Sequence, residues 1–171
     1  KTGRYFTAGL LEHARGLTAI TNPTINSYKR LVAGQEAPNQ VSWSTSNMGP
    51  LVRVPSASNK TTFIEYRSPD PSCNPYLALA TMIKAGLDGI QNEYLLDEPG
   101  IEREIKKDFR DDLKQLPRSL KDALIALDDD DIVKGSLEGI YSNYRRAKYA
   151  EWSDYITTVH QWEVDRYISK Y

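Results

Sequence analysis

The apolar positions at the start of the chain have the spacing of a helix. Phe6, Leu10 and Leu17 lie at i, i+4 and i+11, which places their side chains on one helical face. We predict that this helix ends before Asn22, because Pro23 disfavours the α conformation in the residue that precedes it. The helical pattern begins within the first few residues, which favours the interpretation that this chain is part of a longer protein.

The next segment has the pattern of a loop followed by short strands. Residues 22–39 are rich in proline, glycine and asparagine and have no clear period, and ordered loops of this length tend to be functional. The three β-like runs that follow, each bounded by turn formers, are Gln40–Ser44, Leu51–Val54 and Thr61–Tyr66. In the third run, alternation points Glu65 and the following Arg67 to the same face, which gives that face two charges.

From residue 74 onward the pattern is helical. Asn74 is a good N-cap and Pro75 is favoured at the first helical position. The run that follows, through Ile90, is apolar nearly all round. We therefore predict a buried helix.

The remaining residues also predict helices. Ile101–Leu113 has the pattern of a charged surface helix, and Ser119 with Asp122 resembles a capping box that opens another. The last segment, Ser136–Tyr171, predicts one or two long helices. Its apolar stripe consists of Tyr149, Trp152, Ile156 and Val159. That stripe either packs in the core or forms a subunit contact, because Trp and Tyr are enriched at interfaces.

Together these elements predict an α+β fold in one domain. A loop-and-strand wall over about residues 1–70, with short antiparallel strands, is followed by a helical region over about residues 74–171. The length of 171 residues suffices for a sizeable core, and 40% apolar with 26% charged residues is typical of a soluble globular protein.

Charge and cysteine content narrow the classes of partner. A formal net charge of -1 provides no basic field, which argues against a nucleic-acid partner. Because no run of about 18 apolar residues exists, we expect no membrane span. The single cysteine, Cys73, cannot form an internal disulfide, which fits a reducing compartment such as the cytoplasm.

Charged residues are concentrated in the loop-and-strand third of the chain. They are Lys29, Arg30, Glu36, Arg53, Lys60, Glu65 and Arg67. The plain interpretation of each is a solvated surface charge. The alternative is a basic cleft, because the arginine fork binds carboxylates and phosphates bidentately. Glu65 is then either a paired charge or a ligand for Mg²⁺ or Mn²⁺. The residues alone thus indicate an anion-binding site, with phosphoryl transfer among the open chemistries.

Several long motifs resemble type I glutamine synthetases. Residues 22–31 read NPTINSYKRL, and residues 34–38 read GQEAP. Further along, the chain reads IEYRSPDP over 64–71, NPYLA over 74–78 and AGLDGI over 85–90. Their order and spacing are similar to those of the family over essentially the whole chain. The resemblance implies a C-terminal fragment of the glutamine synthetase catalytic domain.

The resemblance implies an ATP-dependent ligase that makes glutamine from glutamate and ammonia. In this family, ATP phosphorylates the glutamate side-chain carboxylate with Mg²⁺ or Mn²⁺ present, and ammonia then displaces the phosphate. The full-length enzymes are cytoplasmic homo-oligomers, two-ring dodecamers in which the C-terminal helix reaches the opposite ring. Because the other metal ligands lie upstream in the family, we expect the 171-residue chain alone to be inactive.

Matching positions imply specific roles. Arg30 and Arg67 correspond to residues that bind the substrate glutamate. Arg53 and Lys60 correspond to residues that face the ATP phosphates, and Glu65 corresponds to a metal ligand. Positive charge aimed at the transferring phosphoryl group is the main catalytic device in such reactions.

One further role and three departures also follow from the resemblance. Glu36 corresponds to the flap residue that closes over the γ-glutamyl phosphate, excludes water and helps to remove a proton from the attacking nitrogen. Met48 and Phe63 stand where the family has arginines. Lys114 replaces the tyrosine of the adenylylation motif, so we expect feedback inhibition instead of adenylylation.

The two lost arginines keep two alternatives open. One is a γ-glutamyl ligase that uses another amine, because altered pocket walls admit altered substrates. The other is a catalytically weak homologue kept for assembly or regulation.

Outside these motifs we predict no catalytic or ligand-binding site. His13 and His160 are isolated residues in helical segments, and Asp128–Asp131 is expected to be a solvated helix junction.

Overall fold

A computed structural model of the chain describes residues 1–46, 49–55, 63–96, 113–168 and 170. The α-helices are α1 (Thr2–Glu12), α2 (Ala14–Thr21), α3 (Pro75–Gln91), α4 (Leu120–Asp128), α5 (Asp131–Gly135), α6 (Tyr141–Thr157) and α7 (Gln161–Glu163). The strands are β1 (Trp43–Ser44), β2 (Val52–Arg53) and β3 (Glu65–Tyr66). A 3-10 helix spans Ile25–Lys29 and a π-helix spans Val164–Ile168. Short strands followed by a helical half confirm the predicted α+β class.

The first predicted helix is in fact two helices, because the backbone of His13 (φ -89°, ψ 5°) interrupts it. Its predicted end is confirmed, since α2 ends at Thr21 with Asn22 as the C-cap. α1 crosses α3 closely, with glycine on both sides of the contact. A Cβ added to Gly9 or to Gly89 would lie 2.3 Å from a backbone carbonyl oxygen of the other helix, so this approach requires glycine.

The core lies between α1, α2, α3 and α4 and continues into the strands. Its large, fully buried side chains include Leu10, Leu17, Ile20, Leu51, Leu120, Leu124, Leu127 and Leu137. Burial stabilises each by about 1.5–3 kcal/mol relative to exposure. Leu51 directly precedes β2 and belongs to the same buried cluster as the helical leucines, so it anchors the strands on the helices.

The three strands form one small sheet in the order β1-β2-β3. β2 and β3 pair antiparallel, as predicted, but β1 and β2 pair parallel. A parallel pair is possible here because strands of two residues need a return of only about 7 Å, which residues 45–51 can span. The run predicted as Gln40–Ser44 is a strand only at its end. Gln40 instead forms an isolated bridge with Gln115, which links the wall to the helical half.

The cap predicted for α3 is confirmed, because Asn74 Oδ1 accepts hydrogen bonds from Tyr76 N at 3.0 Å and Leu77 N at 3.3 Å. The prediction that this helix is buried all round is wrong. Its inner face packs on α1 through small residues, whereas its outer side chains are at least half exposed. The exposed ones are Tyr76, Leu79, Ile83 and Leu87.

The C-terminal segment is helical, as predicted. α6 is attached to α2 by a hydrogen bond of 2.8 Å from Tyr144 Oη to the Ala19 carbonyl oxygen. Of the predicted apolar stripe, Tyr149 and Trp152 pack partly against the core, whereas Ile156 and Val159 are exposed. The helix predicted at 101–113 lies outside the described residues, except for its last position. Within the described part of the chain, no helix is long and apolar enough to cross a membrane.

Candidate active site

The register of β2 and β3 places Arg53 opposite Glu65. Arg53 Nη1 donates a hydrogen bond of 3.1 Å to Glu65 Oε2. Two residues along the same chain, Arg67 Nε lies 3.5 Å from Glu65 Oε1. The structure thus brings these three predicted site residues together, with one guanidinium against each oxygen of a single carboxylate. Two guanidinium groups and one carboxylate leave a net positive charge, which favours an anionic ligand.

Backbone contacts fix this cluster in place. Arg67 N donates to the Leu51 carbonyl oxygen at 2.9 Å, which continues the β2–β3 contact beyond the strands. Arg67 Nη1 also donates to the Pro50 carbonyl oxygen at 3.3 Å. The side chain of Arg67 is 15% exposed, so its charge lies in a semi-buried setting where electrostatic interactions are stronger than in water.

Arg30 follows the 3-10 helix and forms a second cluster. Its Nη2 donates to Asn22 Oδ1 at 3.0 Å and to the Ser68 carbonyl oxygen. Its Nε lies 4.0 Å from Asp70 Oδ2. Because Ser68 is the residue after Arg67, a single peptide connects the two clusters. The arginines that the resemblance assigns to glutamate are therefore held by one short segment.

Local hydrogen bonds explain why the chain turns at Arg30. Thr24 and Ser27 form a reciprocal capping box, with Ser27 N donating to Thr24 Oγ1 and Thr24 N donating to Ser27 Oγ, both at 3.2 Å.

Burial raises the pKa of the Asp70 carboxyl, but hydrogen bonds from Ser72 and Ser27 and the charge of Arg30 outweigh it. The net effect is a pKa below the usual range. Asp70 is therefore a carboxylate beside Arg30 at neutral pH.

The other predicted site residues lie apart from these contacts or outside the described chain. Glu36 is exposed in the loop after Arg30, two residues beyond Gly34, whose φ of +88° favours glycine. Phe63, where the resemblance implies an arginine, is 55% exposed. Lys60 and Met48 lie outside the described residues.

Glu65 is the carboxylate in the first cluster that could ligate a metal. Carboxylate oxygens are hard ligands, and Mg²⁺ is usually bound through one or two carboxylates plus substrate phosphates. Glu65 fits such a set as one ligand. Among the described residues, no group of three or more His, Cys, Asp or Glu side chains could hold an ion.

Sequence reasoning missed a buried histidine cluster. His13, predicted to be isolated, is 8% exposed and lies between two carboxylates. Its Nε2 is 3.0 Å from Asp88 Oδ2, and its Nδ1 is 2.9 Å from Asp130 Oδ2. The partners are 75 and 117 residues away in sequence, so no local pattern could indicate them.

The prediction of a solvated junction at Asp128–Asp131 is wrong for two of its members. Asp130 caps α5 through Ile132 N and Val133 N, at 3.1 and 3.0 Å, in addition to binding His13. Asp128 accepts hydrogen bonds from Tyr141, Tyr149 and Arg145. An aspartate two residues before the apolar pair Ile132-Val133 is an N-cap signal that could have indicated the first of these roles.

Comparisons with known proteins agree with the motifs. Residues 1–167 match the family model described as glutamine synthetase, catalytic domain. Glutamine synthetases from Thermus thermophilus and Staphylococcus aureus are 48% and 44% identical, each aligned over 100% of this chain and 40% of the relative. One from Methanocaldococcus jannaschii is 48% identical over 95% of this chain and 37% of the relative.

Solved structures show the same likeness in three dimensions. A chain of GmaS in complex with ADP has a TM-score of 0.85 and 36% identity, over 98% of this chain and 40% of that one. A chain of apo GmaS without ligand has a TM-score of 0.84 and 37% identity, over 98% of this chain and 38% of that one. The chain thus spans about two fifths of the length of the proteins that it matches. It belongs to the glutamine synthetase family.

Proposed function

We propose that the full-length protein ligates ammonia to glutamate at the expense of ATP, giving glutamine through a γ-glutamyl phosphate. The observation that carries this proposal is the Arg53–Glu65–Arg67 cluster. Its net positive charge, on two paired strands and the residue that follows β3, suits the anionic groups of both substrates. Family membership supports a ligase, and the cluster supports the sites at which its substrates bind.

In this proposal Arg53 and Lys60 bind the ATP phosphates. A guanidinium held by Glu65 at 3.1 Å is already oriented, so it needs no reorganisation when negative charge develops on the transferring phosphoryl group. A divalent cation, Mg²⁺ or Mn²⁺, would be held in part by Glu65. When bound, it neutralises phosphate charge.

Arg30 and Arg67 bind the glutamate. Both are positioned by the segment 66–70, Arg67 through its own backbone and Arg30 through the Ser68 carbonyl oxygen. Shared support of this kind fixes the spacing between two carboxylate-binding groups. The spacing in turn orients the side-chain carboxylate toward the phosphoryl donor.

Glu36 acts from the exposed loop after Arg30. An acyl phosphate hydrolyses readily, so a lid must exclude water between the two chemical steps. In the second step the Glu36 carboxylate takes a proton from the attacking nitrogen. The positive φ of Gly34, two residues earlier, is typical of a turn, and this turn leads into the proposed lid.

The 171-residue chain does not catalyse this reaction alone. Glu65 is the one metal ligand that the family resemblance assigns to this chain, and a full ligand set needs more. The full-length protein assembles as a cytoplasmic two-ring dodecamer. Exposed apolar residues at the C-terminal end support this assembly, among them Ile156, Val159 and Trp162.

A second candidate function is γ-glutamyl transfer to another amine. The observation that favours it is Phe63, an exposed aromatic ring at a position where the family has arginine. A non-catalytic homologue, retained for regulation or assembly, is a third candidate. It predicts that ATP or glutamine binds without phosphate release.

Steady-state assays of the full-length protein separate these candidates. We expect ATP- and glutamate-dependent phosphate release with ammonia, and much slower release with a panel of primary amines. Faster turnover of one of those amines would favour the second candidate, and binding of ATP without phosphate release would favour the third. The 171-residue chain, assayed in parallel for γ-glutamyl transfer, should show none.

A further inference from the structure

We propose that Asn22 is a positioning residue, on the basis of the function proposed above: its buried side-chain amide fixes the guanidinium of Arg30 in the orientation that binds glutamate. Asn22 is fully buried at the C-terminal end of α2. It is not among the residues to which the family resemblance assigns a role. Its side-chain hydrogen bonds indicate the positioning role.

The contacts of Asn22 define which way its amide faces. A guanidinium has donors only, so the atom that faces Arg30 Nη2 at 3.0 Å is Oδ1. The opposite atom, Nδ2, donates to Thr21 Oγ1 at 3.1 Å and to Ser68 Oγ at 2.9 Å. Both amide hydrogens and the carbonyl oxygen are therefore used. Rotation of the amide would place Nδ2 against the Arg30 guanidinium, so that two donors would face each other.

Arg30 is consequently held by one nitrogen. Nη2 carries two hydrogens, which go to Asn22 Oδ1 and to the Ser68 carbonyl oxygen. Nε faces Asp70 at 4.0 Å. Nη1 makes no hydrogen bond to the described part of the chain, and the side chain is 34% exposed. The two Nη1 hydrogens are therefore left to donate to a substrate carboxylate, and such charge-assisted hydrogen bonds are stronger than neutral ones.

The ordinary structural role of Asn22 does not require this side chain. Its backbone N–H caps α2 by donating to the Thr18 carbonyl oxygen at 2.8 Å, which any residue can do. Its non-helical backbone (φ -133°, ψ 70°) fits the restriction that the proline at the next position imposes. The side chain instead connects Thr21 with Ser68 and Arg30. The last two belong to the second cluster described above, in which Arg30 is proposed to bind glutamate.

The test is a set of substitutions in the full-length protein. Asn22→Asp keeps Oδ1 toward Arg30 but replaces the amide donor with an oxygen and adds a carboxylate that competes with glutamate for the guanidinium. Ser68→Ala removes one partner of the Asn22 amide while the Ser68 peptide carbonyl still accepts from Arg30. Thr18→Val is the matched control, because Thr18 is also a fully buried polar residue, but its side-chain hydroxyl bonds only to the Ala14 carbonyl oxygen in its own helix.

We expect Asn22→Asp to raise KM for glutamate about tenfold or more and to leave KM for ATP within about twofold. Ser68→Ala should raise KM for glutamate by a smaller factor, and Thr18→Val should leave both constants unchanged. A purely structural role would instead lower the melting temperature and the active fraction without separating the two KM values.

Two results would overturn the positioning role. One is an unchanged KM for glutamate in a folded Asn22→Asp variant, and the other is a parallel rise of both KM values. If Asn22→Asp does not fold, an unchanged KM for glutamate in Ser68→Ala decides against it. Failure of the proposed function is distinguishable from these results, because wild-type protein would then show no glutamate-dependent phosphate release.

Discussion

Glu65 lies directly opposite Arg53 across the antiparallel pair β2–β3, and the two side chains make a hydrogen-bonded ion pair of 3.1 Å. The same carboxylate faces Arg67 at 3.5 Å through its other oxygen. A residue that the family resemblance assigns to the metal thus also orients two arginines that it assigns to substrates. Changes at this position should therefore affect both metal binding and anion binding.

Removing the charge of Arg53 should slow phosphoryl transfer. In the full-length protein, Arg53→Met should lower kcat about 100-fold, because one preorganised donor to the developing phosphoryl charge is lost. Phosphate release under saturating substrates measures the effect. The matched control is Arg146→Met, an exposed arginine on α6 that bonds to Asn143. An Arg53→Met variant as active as this control would contradict the assigned role.

Neutralising Glu65 should weaken the metal site. Glu65→Gln keeps the size of the side chain and replaces a charged hard ligand with a neutral one, so Mn²⁺ affinity should fall at least about tenfold. Titration of Mn²⁺ by electron paramagnetic resonance measures this without any turnover. Glu138→Gln, at an exposed position, provides the comparison. Equal Mn²⁺ affinity in both variants would argue against Glu65 as a ligand.

Removing the Glu36 carboxylate should uncouple ATP use from amide formation. In Glu36→Ala, a site less protected from water should lose γ-glutamyl phosphate to hydrolysis, so the ratio of phosphate to glutamine should rise above that of wild type. Parallel assays of both products give this ratio. The neighbouring Gln35→Ala serves as the control, and an unchanged ratio in Glu36→Ala would refute the lid role.

His13 should make stability dependent on pH. Burial alone lowers the pKa of its imidazole, but hydrogen bonds to Asp130 and Asp88 and their charges outweigh it, and the net pKa lies above the ordinary 6.5. A raised folded-state pKa contributes stability that is complete below about pH 6.5 and is lost as pH rises through the folded-state value. The full-length protein should therefore melt at a higher temperature at pH 6 than at pH 8.5.

The substitution His13→Gln tests the source of this pH dependence. Burial raises the pKa of Asp88, while its bonds to His13 and Tyr94 and the charges of His13 and Lys84 outweigh this and lower it. Asp88 thus stays ionised in the window from pH 6 to 8.5, and the change there comes from the imidazole. His13→Gln should lose most of the difference in melting temperature. If His13→Gln keeps the same difference in melting temperature as wild type, other titratable groups cause the pH dependence.

Local chemistry accounts for what the sequence could predict. Asn74 before Pro75 specified the start of α3, and Pro23 specified the end of α2, because caps and prolines act within a few residues. The order of the motifs indicated the family, which the comparisons confirm. The spacing of Glu65 and Arg67 indicated a shared charged face, and the structure places both against one another.

Long-range packing accounts for what the sequence could not predict. The apolar run of α3 gave no sign that its fully buried positions are mainly small residues, so the exposure of Leu79 and Ile83 was not foreseen. The parallel pairing of β1 with β2 depends on where the chain returns, not on strand composition. The bond from Asn22 to Arg30 was also hidden, although both lie in one recognised motif, because the motif does not reveal which atoms meet.

If the full-length protein activates glutamate as an acyl phosphate, as proposed, an oxygen atom of glutamate passes to phosphate, and isotope transfer detects it. Glutamate labelled with ¹⁸O in its side-chain carboxylate is incubated with the full-length protein, ATP, Mg²⁺ and ammonia, and the released phosphate is analysed by mass spectrometry. Attack of ammonia on the carbonyl carbon breaks the carbon–oxygen bond and leaves the bridging oxygen on phosphorus. We predict one ¹⁸O atom in each phosphate formed from fully labelled glutamate. Phosphate released without ¹⁸O would rule out a γ-glutamyl phosphate intermediate.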